Sequence, residues 1–202
     1  MDPTLSPVFA ALLVGAIQAV DYLLTIVGEL GRRSAGGDAF ISYGGSYEAN
    51  PVFAASVDRA RWLSPRAVAS VMVLALGFGA VTAFAQAAPE VAWIAPFALG
   101  SFVFHRIPVL AKHLQNIWTF RQRRLGRVTG SLQWERAVVL RQSAFLYGTH
   151  AAVLGLVAWL HPSPWFWGGV AGTTALTLYL LVLAMRAEAS KARASTLGSS
   201  QG

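Results

Sequence analysis

Five long apolar runs pattern the chain, at about Pro7 to Gly28, Ser64 to Ala88, Val91 to Ala111, Ser143 to Leu160 and Pro164 to Met185. Each is near the ~20 residues that a helix needs to cross a bilayer. Alternating strands with regular turn signals are missing, and an open sheet edge cannot satisfy its backbone in lipid. The pattern therefore predicts an all-α polytopic membrane bundle with about five transmembrane helices. It forms one unit over residues 1–186, followed over 187–202 by a polar cytoplasmic tail, disordered unless a partner pins it.

Between the first two runs, "GRRSAGGDAFISYGGS" reads as irregular backbone. Asn50 before Pro51 and Ser64 before Pro65 read as an N-cap followed by a first helical residue. A short helix from Pro51 to about Leu63 is expected on the membrane surface. Its Phe53, Val57 and Trp62 would dip into the interface, with Asp58, Arg59 and Arg61 in water.

Composition agrees with these spans. The 202 residues are 55% hydrophobic and 12% charged, with mean hydropathy +0.51, which excludes an ordinary soluble domain. No Lys or Arg precedes the first run and no small-residue cleavage site follows it, so it is expected to be a span and not a cleaved signal. Cysteine is absent, which excludes disulfides and thiolate metal ligands.

The charges sort the loops. With five spans, the turns near Pro89 and Pro162 share a side with the N-terminus and carry no Lys or Arg. Arg32, Arg33, Arg59, Arg61, Lys112, Arg121, Arg123, Arg124, Arg127, Arg136, Arg141, Arg186, Lys191 and Arg193 fall on the other side. The positive-inside rule then places the N-terminus outside and the C-terminus in the cytoplasm, in a plasma membrane. Trp159, Trp165 and Trp167 flank one turn, while Trp62, Trp118 and Trp134 lie in the opposite segments, as interfacial belts do.

Polar residues interrupt the spans at one depth. In "AIQAVDYLLTIVGEL", Gln18, Asp21 and Thr25 are spaced i, i+3 and i+7 and share a helix face. His105 and Arg106 in the third run, and Gln142, Tyr147, Thr149 and His150 in the fourth, occupy a similar layer. Ionisable groups inside spans need partners and mark functional candidates. Asp21 pairing with Arg106, completed by His105 and Gln18, is the expected wiring. Pro108 should free the carbonyl of Phe104 and kink the third span. Asp21, Glu48, His105, His113 and His150 include metal-competent ligand types but no recognised local spacing, and His113 reads as an exposed loop residue. No nucleophile elbow or phosphate-binding glycine loop is present, so neither a reaction nor a cofactor is assigned.

The segment "KHLQNIWTFRQRRLGRVTGSLQWERAVVLRQ" is basic and interleaved with aromatics. Arg121, Arg123, Arg124 and Arg127 are expected to attract anionic lipid headgroups, at ~1 kcal/mol per basic residue near the surface. A larger membrane complex is the second partner expected, and nucleic acid is disfavoured. The glycines of "GGVAG", Gly168 and Gly172, match a small-xxx-small helix contact.

At Asp21, Thr25, Glu48, Asn50 and Pro51, the pattern D-x-x-x-T … E-x-N-P resembles a family of small prokaryotic integral membrane proteins, over the first third of the chain. The resemblance implies a carboxylate and amide cluster at the inner membrane face and brings no activity with it. The glycine-rich insert here lengthens the spacing between Asp21 and Glu48. The function expected is a nonenzymatic membrane subunit or scaffold with a buried polar layer. Its rivals are a small proton-coupled transporter and a membrane-embedded metal-dependent enzyme acting on a lipid-like substrate.

Overall fold

The computed structural model describes residues 6–42, 48 and 51–199, with the side chains of residues 51 and 191–199 outside that description. The chain runs α1 (Pro7–Ser34), β1 (Ile41–Ser42), α2 (Pro51–Val57), α3 (Pro65–Ala87), α4 (Ile94–Arg124), β2 (Leu132–Gln133), α5 (Arg136–Leu160) and α6 (Pro164–Ser199). Among the described residues, five of these helices are long and apolar enough to cross a membrane. The fold is an all-α bundle, as the apolar runs predict.

Prolines start α1, α3 and α6, where a preset φ and a missing N–H cost nothing. Ser163 caps α6 by accepting from the Phe166 amide at 3.3 Å. Gly126, at φ 70, ends α4: its amide reaches the Arg123 carbonyl and the Arg127 amide reaches that of Gln122. This is the paired closure that a left-handed glycine permits.

Several helix boundaries differ from expectation. Beyond Ala111 the α4 helix continues to Arg124, because a hydropathy window marks where lipid ends and not where a helix ends. No glycine or proline interrupts 112–124. The helix α5 begins at Arg136 for the same reason, and α6 runs through Ser199, so most of the expected tail is helix. In contrast, α2 stops at Val57. A turn follows, with Ala60 at φ 48, held by the Arg61 amide on the Ser56 carbonyl and by the Tyr22 hydroxyl donating to the Arg61 carbonyl at 2.6 Å. Val57 is buried against Tyr22, Ile26 and Ala67 and does not face lipid, whereas Trp62 is exposed. The Asn50 cap lies outside the described residues.

Helix α4 is central: α1 packs on α3 and α4, and α6 packs on α4 and α5. Small residues allow the close approaches. A Cβ on Gly168 would meet the Phe97 carbonyl, and one on Gly100 would meet that of Trp165. With no apolar driving force between helices in lipid, such backbone proximity is what dispersion needs. At the Arg-rich end, β1 and β2 pair in parallel, Ile41 with Leu132 and Ser42 with Gln133. This joins the two long loops over a core of Ala35, Phe40, Ile41 and Phe120.

Candidate functional site

The polar stripe of α1 turns inward: Gln18, Asp21 and Thr25 are all buried. It meets α4 at Arg106, whose Nη1 donates to Asp21 Oδ2 at 2.5 Å and whose Nη2 donates to Gln18 Oε1 at 2.7 Å. The guanidinium also lies 5.3 Å from the Phe102 ring centroid, so its charge has an ion pair, an amide and a π face.

Two turns along α4, His113 Nε2 stands 3.3 Å from Thr25 Oγ1 and 3.2 Å from Asp21 Oδ1. Thr25 donates its own proton to the Asp21 carbonyl at 2.9 Å, so its oxygen accepts from His113 Nε2–H. The approach to Asp21 Oδ1 is close but off-angle, which leaves that oxygen within electrostatic reach and without a hydrogen bond in the protein. Arg106 Nε and His113 Nδ1 are likewise buried without a protein partner.

These groups border a cavity of about 260 Å³ between α1 and α5, backed by α4 and α6. Its polar lining adds Glu48, Lys112, Asn116, Arg136, Ser143 and Tyr147, and its apolar lining includes Phe53, Val139, Leu140, Leu176 and Leu180. Lys112 Nζ donates to Ser143 Oγ at 2.5 Å, and Ser143 Oγ in turn donates to the Val139 carbonyl at 2.9 Å. Among the described residues Lys112 makes no ion pair.

Of the residues singled out from sequence, Gln18, Asp21, Thr25, Glu48 and Arg106 line this cavity, and Asn50 lies outside the described residues. His105 and His150 do not line it. His105 Nδ1 is 2.8 Å from the Ser101 carbonyl of its own helix, a bond that keeps it out of the Asp21 pair, and its ring packs edge-on against Phe102. His150 Nε2 is buried without a partner. The reading of His113 as a loop residue is overturned: continued α4 carries it inward to Asp21. Among the described residues no three His, Asp or Glu side chains gather as a metal site would require.

The arginines of the basic segment divide. Arg121 and Arg124 are exposed and line a groove with Val27, Leu30, Trp62, Ile117 and Leu125. Arg123 folds back, donating to the Val128 carbonyl at 3.0 Å and stacking 4.8 Å from the Phe40 centroid. Arg127 is exposed, beside Gln122.

Besides His113 and Lys112, the sequence pattern hides Glu29, which is 1% exposed and accepts from Arg32 and Arg33 at 2.7 Å each. A signal for it exists: Glu29 continues the stripe of Gln18, Asp21 and Thr25 at i+11. Comparison with family models, curated proteins and solved structures finds no match.

Proposed function

We propose that the chain is a nonenzymatic integral membrane subunit that binds an amphiphilic ligand in the cavity between α1 and α5, at the cytoplasmic end of the bundle. The observation that carries this reading is the two-sided lining. Charged and hydroxyl groups from α1, α4 and α5 face a wall of Phe53, Val139, Leu140, Leu176 and Leu180. Such a surface suits a molecule with a polar head and an apolar body.

The orientation, N-terminus outside and C-terminus in the cytoplasm, is supported by the Lys and Arg residues gathered at the cavity end. Exposed Trp93, Trp159 and Trp167 at one end and Trp62 and Trp118 at the other agree with two interfacial belts. Asp21 favours a structural layer over proton carriage, since Arg106 already neutralises it. Metal-dependent chemistry would draw on His105 and His150, which line other surroundings.

The test is ligand retention by the full chain purified in mild detergent. Wild type should carry a stoichiometric amphiphile through gel filtration, and Val139→Trp, which fills the cavity, should lose it. Equal retention by both proteins, or none by either, overturns the reading.

A further inference from the structure

Among the described residues, five charged side chains line the cavity, and they do not balance. Asp21 and Glu48 face Arg106, Lys112 and Arg136, leaving one positive charge over. Asp21 is committed to Arg106. The one ammonium among them, Lys112, is partly buried and meets a hydroxyl, that of Ser143. A charge held away from water without a counter-ion is costly, so a site that keeps one is arranged for an anion.

The polar groups around Lys112 suit a particular anion. His113 follows it directly and Asn116 lies one turn on, both on the cavity wall, with Arg136 and Ser143 opposite on α5. His113 Nδ1 is buried with no partner in the protein. An ammonium offers three N–H groups as a point charge, two of them beyond the one on Ser143, the Asn116 amide stands one turn along, and His113 Nδ1, with the ring proton on Nε2, is an acceptor for a hydroxyl of the ligand. That spread matches a tetrahedral oxyanion with several acceptor oxygens better than a planar carboxylate, which one bidentate arginine satisfies.

We propose that Lys112 anchors a binding site for a phosphate-type group bearing a single negative charge, with His113 and Asn116 beside it. The assignment rests on the cavity reading above and names the head of its ligand. A phospholipid headgroup and a free phosphate share this chemistry. The apolar wall from Val139 to Leu180 borders the same cavity, so a lipid would place its glycerol and chains there.

The experiment uses the full chain in detergent and in nanodiscs, with phosphatidylglycerol, phosphatidylcholine and inorganic phosphate as probes. Bound lipid is read by native mass spectrometry and by thermal shift. Wild type should prefer phosphatidylglycerol over phosphatidylcholine by at least about tenfold, the scale of one charge-assisted contact. Lys112→Met should remove most of that preference, while Lys112→Arg and Arg59→Gln, at an exposed arginine outside both the cavity and the Arg121 groove, should keep it. Ligand-free melting of each variant separates loss of binding from loss of fold.

Displacement of the lipid by inorganic phosphate would identify the free ion as a sufficient occupant. Lipid binding indifferent to phosphate would identify the headgroup, and either result supports the site. An unchanged preference in Lys112→Met overturns it, as does a wild type that treats both lipids alike while amphiphiles still bind. If no amphiphile binds at all, the cavity reading fails. The phosphate arm then decides the anion site alone, and phosphate stabilisation independent of Lys112 overturns it too.

Discussion

Arg106 of α4 and Asp21 of α1 form an ion pair at 2.5 Å, linking segments 85 residues apart, with side chains only 20% and 13% exposed. The pair is the centre of a layer in which Gln18 satisfies the second guanidinium nitrogen and His113 approaches the second carboxylate oxygen. In lipid neither charge has an inexpensive alternative partner, so the pair fixes the rotation of α1 against α4 as well as its depth.

Removing one member should therefore hurt more than removing both. Asp21→Asn or Arg106→Met alone should destabilise the protein by about 3–5 kcal/mol, because each strands a buried charge, and the double variant should recover much of that loss. Thermal melting of the four proteins in one detergent measures the cycle. Simple additivity would show that the two side chains do not depend on each other.

A second ionic knot closes the end of α1. Glu29 accepts from both Arg32 and Arg33, and Arg32 also donates to Asp38 at 2.6 Å. Arg33 reaches on to the Asp58 carbonyl, tying the turn after α2 to α1. Glu29→Gln should cost about 2–3 kcal/mol, below the range for a fully buried pair because Arg33 is 43% exposed and screened by solvent. Asp38→Asn, whose carboxylate is 75% exposed, should change the melting temperature little. Equal effects of the two changes would contradict the burial argument.

The spans are legible in the sequence because membrane solvation leaves a strong trace: apolar runs of bilayer length, repeated five times, have no place in a chain that folds in water. The inward face of α1 is legible for a related reason, since Gln18, Asp21 and Thr25 recur at helical spacing in an apolar run. Glu29 belongs to the same periodicity but sits where hydropathy falls away, and there a carboxylate looks like an ordinary solvated residue. His113 and Lys112 are hidden by the same boundary. Whether a basic segment after a span is loop or continued helix depends on tertiary packing, here Phe120 against Gly31 and Phe40, to which hydropathy is blind. The link between β1 and β2 is a parallel pairing between loops about 90 residues apart, with two residues per strand, and so leaves no periodic signal.

Glycines in this bundle are not equivalent. Gly168→Ala places a methyl group against the Phe97 carbonyl of α4, so α4 and α6 must separate, at a cost of about 1–3 kcal/mol or more. Gly155 in α5 has open space where a Cβ would stand, and Gly155→Ala should be neutral or stabilising by up to ~1 kcal/mol through helix propensity. Parallel melting curves test the contrast, and a harmless Gly168→Ala would refute the close approach.

Topology is accessible because the chain has no cysteine. Single cysteines replacing His161 and Ser131, both exposed, should behave oppositely in intact cells. His161→Cys should react with an impermeant maleimide from outside, and Ser131→Cys only after lysis. Reversed labelling would invert the proposed orientation and place the cavity on the outer face.

The basic segment yields a final prediction, because its arginines have separable roles. Arg121 and Arg124 stand exposed along a groove with Trp62, Leu30 and Leu125, an arrangement able to hold a headgroup above the apolar surface. Arg123 is committed to the Val128 carbonyl and the Phe40 ring, where it holds the loop core around Phe120. The double change Arg121→Gln with Arg124→Gln should weaken enrichment of anionic lipid around the protein, and high salt should mimic it because exposed charges are screened over ~8–10 Å. Its melting temperature should stay near that of wild type. Arg123→Gln should do the reverse, lowering stability by about 1–2 kcal/mol through the lost stacking and hydrogen bond while leaving lipid enrichment intact. Lipid enrichment in nanodiscs of mixed composition, measured beside thermal melting, separates the two. A loss of enrichment that followed Arg123 instead would mean that the loop core, and not the groove, presents the charge to the membrane.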